Sequence, residues 1–303
     1  MPHTDREILR ANVRYHDLAA SHYDTKWGIN YGALGQAQVT GKLRKALGHE
    51  PRGFGRALEI GAGTGYFTLN LLRAGVIEEA VATDVSPGML GALERSAREL
   101  GAPVETAACE ASELPFEDRS FDLVFGHAVL HHLPDLDAAF REFRRVLRPG
   151  RVLAFCGEPS HYGDRIASVP KRGAWALSPV WRALLGASGR RNGGGNGQWT
   201  EEDELERIVD VHAFTPAALS GYARRAGFED VRVSGEELAA SLFGWANRTL
   251  AASAEPDEIP WAWRVYAHRG YLLLQSIDRS LLEPHLPPAL FYNLLISARR
   301  PQA

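Results

Sequence analysis

The stretch RALEIGAGTGYF, residues 56–67, runs an apolar strand into three glycines, Gly61, Gly63 and Gly65, separated by single residues. Glycine enters the positive-φ region without steric cost, so three in five positions specify a tight turn with a bare backbone. A strand that ends in such a turn and continues into a helix is the unit from which parallel sheets are assembled. The following residues repeat that unit. A helix is expected over 64–74, a second strand over 80–85 (AVATDV), and then a helix capped by Ser86 with Pro87 in its first turn, as helix starts prefer. Strands at 104–108, 121–128 and 151–157 and a helix at 136–147 continue the alternation. The expected fold class is α/β, a doubly wound, mostly parallel sheet with helices on both faces.

The alternation stops at Gly157. Residues 158–213 read as a long connection, within which GRRNGGGNG (189–197) is expected to be a mobile loop. Regular structure returns with a helix at 215–227, capped by Thr215, started by Pro216 and stopped by Gly227, and a strand at 229–235. An aromatic-rich helical stretch fills 236–283, and FYNLLISARR (291–300) is a last strand. Ahead of the glycine turn, residues 5–48 read as helical. The expected organisation is an N-terminal helical lid (1–50), an α/β core (51–157), an insertion (158–213) and a C-terminal part (214–303) with a helical cap over 236–288.

Composition narrows the partners. With 303 residues, 45% of them hydrophobic, the chain can bury the core of one large domain or two modest ones. It contains no run of eighteen apolar residues, and its first residues lack the apolar stretch of a signal peptide, so a cytoplasmic location without membrane insertion is expected. A formal net charge of -3 offers no overall positive field to a nucleic-acid backbone. Cys109 and Cys156 are too few for a disulfide framework or a thiolate metal site and are expected to be buried thiols.

In an open parallel sheet the ligand lies beyond the carboxyl ends of the strands, which makes the glycine turn the place to look. Tyr66 stands where a dinucleotide fingerprint would have its third glycine, Glu59 precedes the first glycine by two residues, and Asp84 ends the second strand. A carboxylate at that strand end can accept hydrogen bonds from both hydroxyls of an adenosine ribose, which suits NAD and S-adenosylmethionine alike.

Five segments in order, LEIGAGTGYF, TDVSPGML, LPFEDRSFDLVF, LHHLPD and FRRVLRPGRVLAF, resemble the class I S-adenosylmethionine-dependent methyltransferases over residues 56–157. The resemblance is to the small-molecule branch that includes the quinone C-methyltransferases. It implies a seven-stranded Rossmann-like sheet of order 3-2-1-4-5-7-6, the last strand antiparallel, with S-adenosyl-L-methionine as cofactor and S-adenosyl-L-homocysteine as product. It places Gly61, Ala62 and Gly63 against the methionine part and Asp84 on the ribose. Glu110 and Ala111 stand where the family has an Asp-Ala pair at the adenine. Glu59, Val85, Met89, His127 and Tyr23 complete the expected cofactor contacts.

Methyl transfer from a sulfonium is an in-line displacement, in which positioning supplies up to ~7–11 kcal/mol. A base is needed only where the nucleophile carries a proton. His127, His131 and His132 follow the fourth strand, and Glu158 and His161 follow the fifth. Of these, His131, His132 and His161 are the expected catalytic residues, against the alternative that they pack and hydrogen-bond locally. His127 and His131 have the spacing of a helical metal pair, but no third ligand accompanies them and no metal is expected.

ASHYDTKW (20–27) resembles the segment that closes over the cofactor in the family, where Tyr23 and Trp27 either face the sulfonium or the acceptor, or are core. Phe243, Trp245, Trp261, Trp263, Tyr266 and Tyr271 suggest either a cap for an apolar or aromatic acceptor or a homodimer interface. The expected function is methylation of an oxygen, carbon or nitrogen of a small metabolite. A cofactor-binding protein of the same fold with a regulatory or non-methylating role is the second reading. The fourth strand ends in GHAVLHH, unlike the [ND]-P-P-[YF] segment of base-amine methyltransferases, so no nucleic-acid substrate is expected.

Overall fold

A computed structural model describes residues 4–20, 23, 28–189, 205, 208–209 and 211–302. Seven strands, β1 (Phe54–Ile60), β2 (Ile77–Asp84), β3 (Glu105–Ala108), β4 (Phe121–His127), β5 (Leu147–Pro159), β6 (Glu229–Glu236) and β7 (Asn293–Arg299), form one sheet. Its order is β3-β2-β1-β4-β5-β7-β6, the order the resemblance implied. The first five strands are parallel, with Leu58 of β1 between Val81 of β2 and Val124 of β4. β7 runs the other way, since Gly150 N donates to Arg300 O and Ser160 N to Tyr292 O, pairing rising with falling numbers.

The middle stretches of the interior strands are mostly apolar because both faces are covered, with Glu59, Asp122 and Glu158 as buried charged exceptions. Alternate residues serve opposite faces. Ala154 and Cys156 of β5 join Leu123 and Phe125 of β4 against helices α2 (Ala33–Leu47) and α3 (Tyr66–Arg73), which contribute Val39, Leu43, Phe67 and Leu71. Phe155, between Ala154 and Cys156, instead meets Phe140 and Phe143 of α5 (Leu136–Val146). Each such fully buried large side chain contributes ~1.5–3 kcal/mol.

Helix starts follow the expected chemistry. Thr4 and Glu7 form a reciprocal cap on α1 (Asp5–Ala19). Ser86 caps α4 (Pro87–Leu100), and Thr215 caps α7 (Pro216–Arg225). The single helical stretch expected over 5–48 is corrected to α1 and α2. Asn30 Oδ1 accepts from Gly32 N (2.9 Å) and Gly35 N (3.4 Å), a local alternative to the helical ladder that starts α2 afresh.

The chain divides into two compact units. The first comprises Met1–Glu158, Thr200–Val233 and Leu295–Ala303, and the second Pro159–Trp199 and Ser234–Leu294. The linear division read from the sequence differs, because the chain leaves the sheet twice and returns each time to supply β6 and β7. The connection expected over 158–213 contains a 25-residue helix, α6 (His161–Leu185), with Pro170 and Pro179 inside it. The glycine-rich loop expected at 189–197 lies, after Gly189, outside the described residues. The second unit also holds α8 (Ala239–Ala252) and α9 (Trp261–Ile277). Cys156 is buried as expected, whereas Cys109 is only half-buried, its thiol pushed up to about 11 by desolvation.

Candidate active site

β1 ends at the glycine turn, where Gly61, Gly63 and Gly65 have φ of +64°, +53° and +91°. A Cβ on Gly61 would stand 2.3 Å from Val129 Cγ2, and one on Gly65 2.7 Å from Leu93 Cγ. Around Gly63 nothing lies within 4 Å of where a Cβ would be. Two glycines thus admit neighbours from the fold, and the middle one leaves a bare stretch of backbone. Beside it Thr64 Oγ1 is buried without a hydrogen-bond partner among the described residues. A backbone cradle with an orphaned hydroxyl fits a polar small-molecule group.

Asp84, 7% exposed, binds this turn: Oδ2 accepts from Gly63 N (2.8 Å) and Oδ1 from Ser86 N (2.9 Å). Desolvation pushes its carboxyl up from the ordinary value, and the nearby His16 and the amide donors pull it back. Glu59 lies behind the turn. Buried, it accepts from Thr68 N (3.0 Å) and from Thr68 Oγ1, tying β1 to the first turn of α3, and desolvation pushes it up to about 8. Ala62 donates its N–H to Thr83 O (2.9 Å). Val85 is half-buried, Met89 is buried, Glu110 is exposed and Ala111 is buried.

The N-terminal helix reaches the same edge. Asp17 Oδ1 accepts from Ser86 Oγ (2.5 Å) and Gly88 N (3.1 Å), so α1 carries an acid to the start of α4. Asn12 Nδ2 donates to His132 O (3.3 Å), and the His16 ring meets His132 edge-on at 5.6 Å. Asp17 lies in none of the segments that carry the resemblance, whereas Ser86 is marked in the sequence both as a helix cap and as part of TDVSPGML. Tyr23 is half-buried, and Trp27 lies outside the described residues.

The histidines are sorted by the turn after β4. His127 ends the strand and stacks on Phe67 at 4.7 Å, over Gly157, where a Cβ would fall 2.7 Å from its Nε2. Ala128 follows with φ +52°, and Leu130–His132 form one 3₁₀ turn. His127 and His131 therefore share no helix, and their i, i+4 spacing does not set them on one helical face. Among the described residues no cluster of three or more His, Cys, Asp or Glu is arranged to hold a metal.

Glu158 is wholly buried: Oε1 accepts from Val129 N and Leu130 N, both 3.0 Å, and Oε2 from His131 N (3.2 Å) and His131 Nδ1 (2.9 Å). With four donors around it, this former base candidate holds His131 and has no exposed face for a substrate. His132 Nδ1 bonds to Val209 O (2.9 Å), and its ring centre lies 3.9 Å from that of His131. Burial, foremost, and the adjacent His131 hold His132 well below the ordinary histidine range. The structure brings His131, His132 and Glu158 together. His161 opens α6 in the second unit, edge-on to Tyr162 at 5.3 Å.

Within the second unit Trp181, Trp263, Tyr266 and Phe243 form a continuous run, with ring centres 5.2, 5.2 and 5.6 Å apart in turn. A Cβ on Gly270 would fall 2.6 Å from Phe243, so that glycine lets the ring against α9. Trp245 packs on Tyr292 at 5.5 Å with Lys171 Nζ 3.9 Å over its ring, Tyr271 is half-buried, and Trp261 is exposed. Among the described residues no helix is long and apolar enough to cross a membrane.

Residues 58–155 match the family described as "Methyltransferase domain". The chain is 35% identical over 175 residues to a malonyl-[acyl-carrier protein] O-methyltransferase of Halorhodospira halophila, covering 57% of this chain and 53% of that protein. It is 38% identical over 136 residues to a demethylmenaquinone methyltransferase of Roseiflexus castenholzii, covering 45% of this chain and 55% of that one. It thus spans about half the length of these two relatives. Among solved structures, phosphoethanolamine N-methyltransferase 2 of Haemonchus contortus in complex with S-adenosyl-L-methionine shares the fold, with a TM-score of 0.59 at 20% identity over 99% of this chain and 60% of that one.

Proposed function

We propose that this chain, whose residues 58–155 match the family described as "Methyltransferase domain", is a class I, S-adenosylmethionine-dependent methyltransferase that transfers a methyl group to an oxygen, carbon or nitrogen of a small, apolar or aromatic acceptor. The observation that carries the reading is the pairing of the bare Gly63 backbone with the Asp84 carboxylate held 2.8 Å from its amide. Bound there, S-adenosylmethionine supplies a methyl already activated on a sulfonium. The chain's own residues position it. Gly61, Ala62 and Gly63 flank the methionine part. An ionised carboxylate offers about four lone-pair sites, and Asp84 accepts from the amides of Gly63, Ser86 and Val85, which leaves acceptor capacity for a ribose hydroxyl. Exposed Glu110 would accept from the adenine amino group and the Ala111 amide would donate to the ring, with Val85, His127 and Tyr23 alongside. Buried Glu59 supports the turn from behind through Thr68, and Met89 is buried in the first turn of α4 beyond Asp84.

The acceptors in the relatives' names, a malonyl-acyl-carrier protein and demethylmenaquinone, differ from one another, and neither is carried over here. The apolar character proposed for the acceptor rests on the aromatic run of the second unit. Exposed Val169, Leu177, Val180 and Leu184 on α6 support a homodimer. The net charge of -3 supports a function without a nucleic-acid partner, and a cytoplasmic setting is proposed with it. The test is calorimetric titration with S-adenosylmethionine, S-adenosylhomocysteine and NAD side by side, then transfer of labelled methyl to 1,4-naphthohydroquinone. Micromolar binding of the first two and none of NAD is expected. Binding of NAD alone would overturn the reading.

A further inference from the structure

We propose that Trp181 and Trp263 form a binding site within the second unit for a flat apolar molecule that carries a hydrogen-bond-accepting oxygen, such as an aromatic ketone, a quinone or an aryl ether. Both indole nitrogens are buried with no hydrogen-bond partner among the described residues. The binding itself stands alone. That the bound molecule is the methyl acceptor rests on the methyl-transfer reading above.

An indole N–H only donates, and when buried it ordinarily finds an acceptor. Here the side chains around it offer none. Trp181, 8% exposed, packs with Leu185, Ala187, Leu250, Ala254, Ile259 and Trp263. Two oxygens on the neighbouring chain, Ser178 Oγ and Ser253 O, accept instead from Arg182 Nη1 at 3.3 and 3.2 Å. Nor can the two indoles satisfy each other. Their ring centres are 5.2 Å apart and their planes meet edge-on at 66°. In that arrangement only one ring turns its edge to the other's face, so an N–H···π contact takes up at most one donor. At least one indole is left in need of an oxygen.

The same surroundings set the chemistry of the ligand. The cluster is built from aliphatic and aromatic side chains, and burying an uncompensated charge costs far more than burying a neutral polar group, so the oxygen is uncharged. A carbonyl oxygen has two lone pairs, and one atom can serve both donors. The body of the ligand follows from the aromatic run. From Trp263 it continues to Tyr266, with ring centres 5.2 Å apart, and Tyr266 is 53% exposed. The run that begins buried at Trp181 therefore reaches solvent within the second unit. Rings pack edge-on or offset against such a surface, which makes the body aromatic and the oxygen a polar handle at its inner end. An apolar wall with a few placed donors is the composition of a small-molecule site.

Two probes that share a ring system and differ by one oxygen, 1-acetonaphthone and 1-ethylnaphthalene, test this. Both are titrated into the full chain labelled with ¹⁵N-tryptophan, whose seven indoles give few enough N–H resonances to follow one by one. Trp181→Phe and Trp263→Phe each keep a ring, lack the N–H and remove one resonance, which assigns it. The ketone is expected to move at least one of the two assigned resonances downfield. It is also expected to bind roughly tenfold more tightly than the hydrocarbon, the scale of a hydrogen bond to an otherwise unsatisfied buried donor. At least one variant loses most of that preference, while hydrocarbon affinity stays within about threefold in both.

The affinity difference is read on the wild type, so it stays measurable if W181F, at the buried end of the run, does not fold. Equal affinities for the two probes would overturn the proposal, as would indole resonances that the ketone leaves in place, the result if water alone pairs with these donors. Binding is measured without S-adenosylmethionine and is therefore independent of the cofactor titration. Once that titration succeeds, transfer of labelled methyl to 4-acetyl-1-naphthol is followed in the variant whose ketone binding is weakened. Its KM is expected to rise roughly tenfold with kcat within about threefold, the mark of lost binding. An unchanged KM would overturn the identity of the bound molecule as the methyl acceptor.

Discussion

At the scale of single residues, Asp84 both shapes the turn and is proposed to bind the ribose. Because its two oxygens hold the amides of Gly63 and Ser86, a substitution should be felt in the fold as well as in the ligand. Asp84→Asn keeps one acceptor and turns an NH₂ group toward the other amide. It is expected to weaken S-adenosylmethionine binding at least ~10-fold and to cost about 1–3 kcal/mol of stability, the penalty for an unsatisfied buried donor. Calorimetry paired with urea unfolding separates the effects, and unchanged affinity would remove Asp84 from the site. The glycine triplet was legible in the sequence as a triplet. Which glycine is open was not, because Val129 and Leu93, which crowd the outer two, arrive from distant parts of the chain. The sequence reading set Glu59 against the cofactor from its place before the motif. The structure gives it to Thr68, a partner whose side-chain direction no spacing rule reveals. Ala128 carried no signal, since alanine is not a residue expected at positive φ.

At the scale of elements, the strand and helix boundaries of the core were legible to within a few residues, because buried parallel strands and capped helices leave strong local marks. The weak points were helices whose reasons are not local. α6 was read as connection, since Pro170 and Pro179 each remove a helical donor and argue against a helix. The break between α1 and α2 depends on the Asn30 side chain. The docking of α1 was invisible in the sequence, yet Asp17 links it to Ser86 and Gly88 at the head of α4. Asp17→Ala removes this link and the favourable acid at a helix start, together worth about 1–2 kcal/mol. Amide exchange across Asp5–Ala19 is expected to speed by roughly tenfold or more, as 1.4 kcal/mol is a factor of ten, with β1 and β2 unchanged. Equal exchange in wild type and variant would show that α1 is held by packing alone.

At the scale of the whole molecule, buried ionisable groups set opposing pH dependences. Glu59 titrates at about 8 when folded against 4.5 as its reference value, so the native state keeps a proton that the unfolded chain releases. Its contribution is fully present below 4.5 and is lost as pH rises toward 8. His132 is shifted below 6.5, so its contribution is present above 6.5 and is lost as pH falls. Thermal stability is expected to fall most steeply between about 6.5 and 8, where His132 no longer opposes Glu59. Glu59→Gln, which keeps an acceptor for Thr68, should remove about 1.4 kcal/mol of that fall per pH unit and raise Tm at pH 8.5. Parallel Tm profiles for the two proteins would refute this. The sheet order was legible through resemblance to a family, whereas the two-unit division was not, because it depends on where the chain returns. That return has a consequence in time. β7 is made after β6 but lies between β5 and β6, so β6 has no neighbour in the sheet until all of α8 and α9 has been synthesised and β7 follows. Alterations to those helices intended to change acceptor choice will first be filtered by whether the last strand can still find its place.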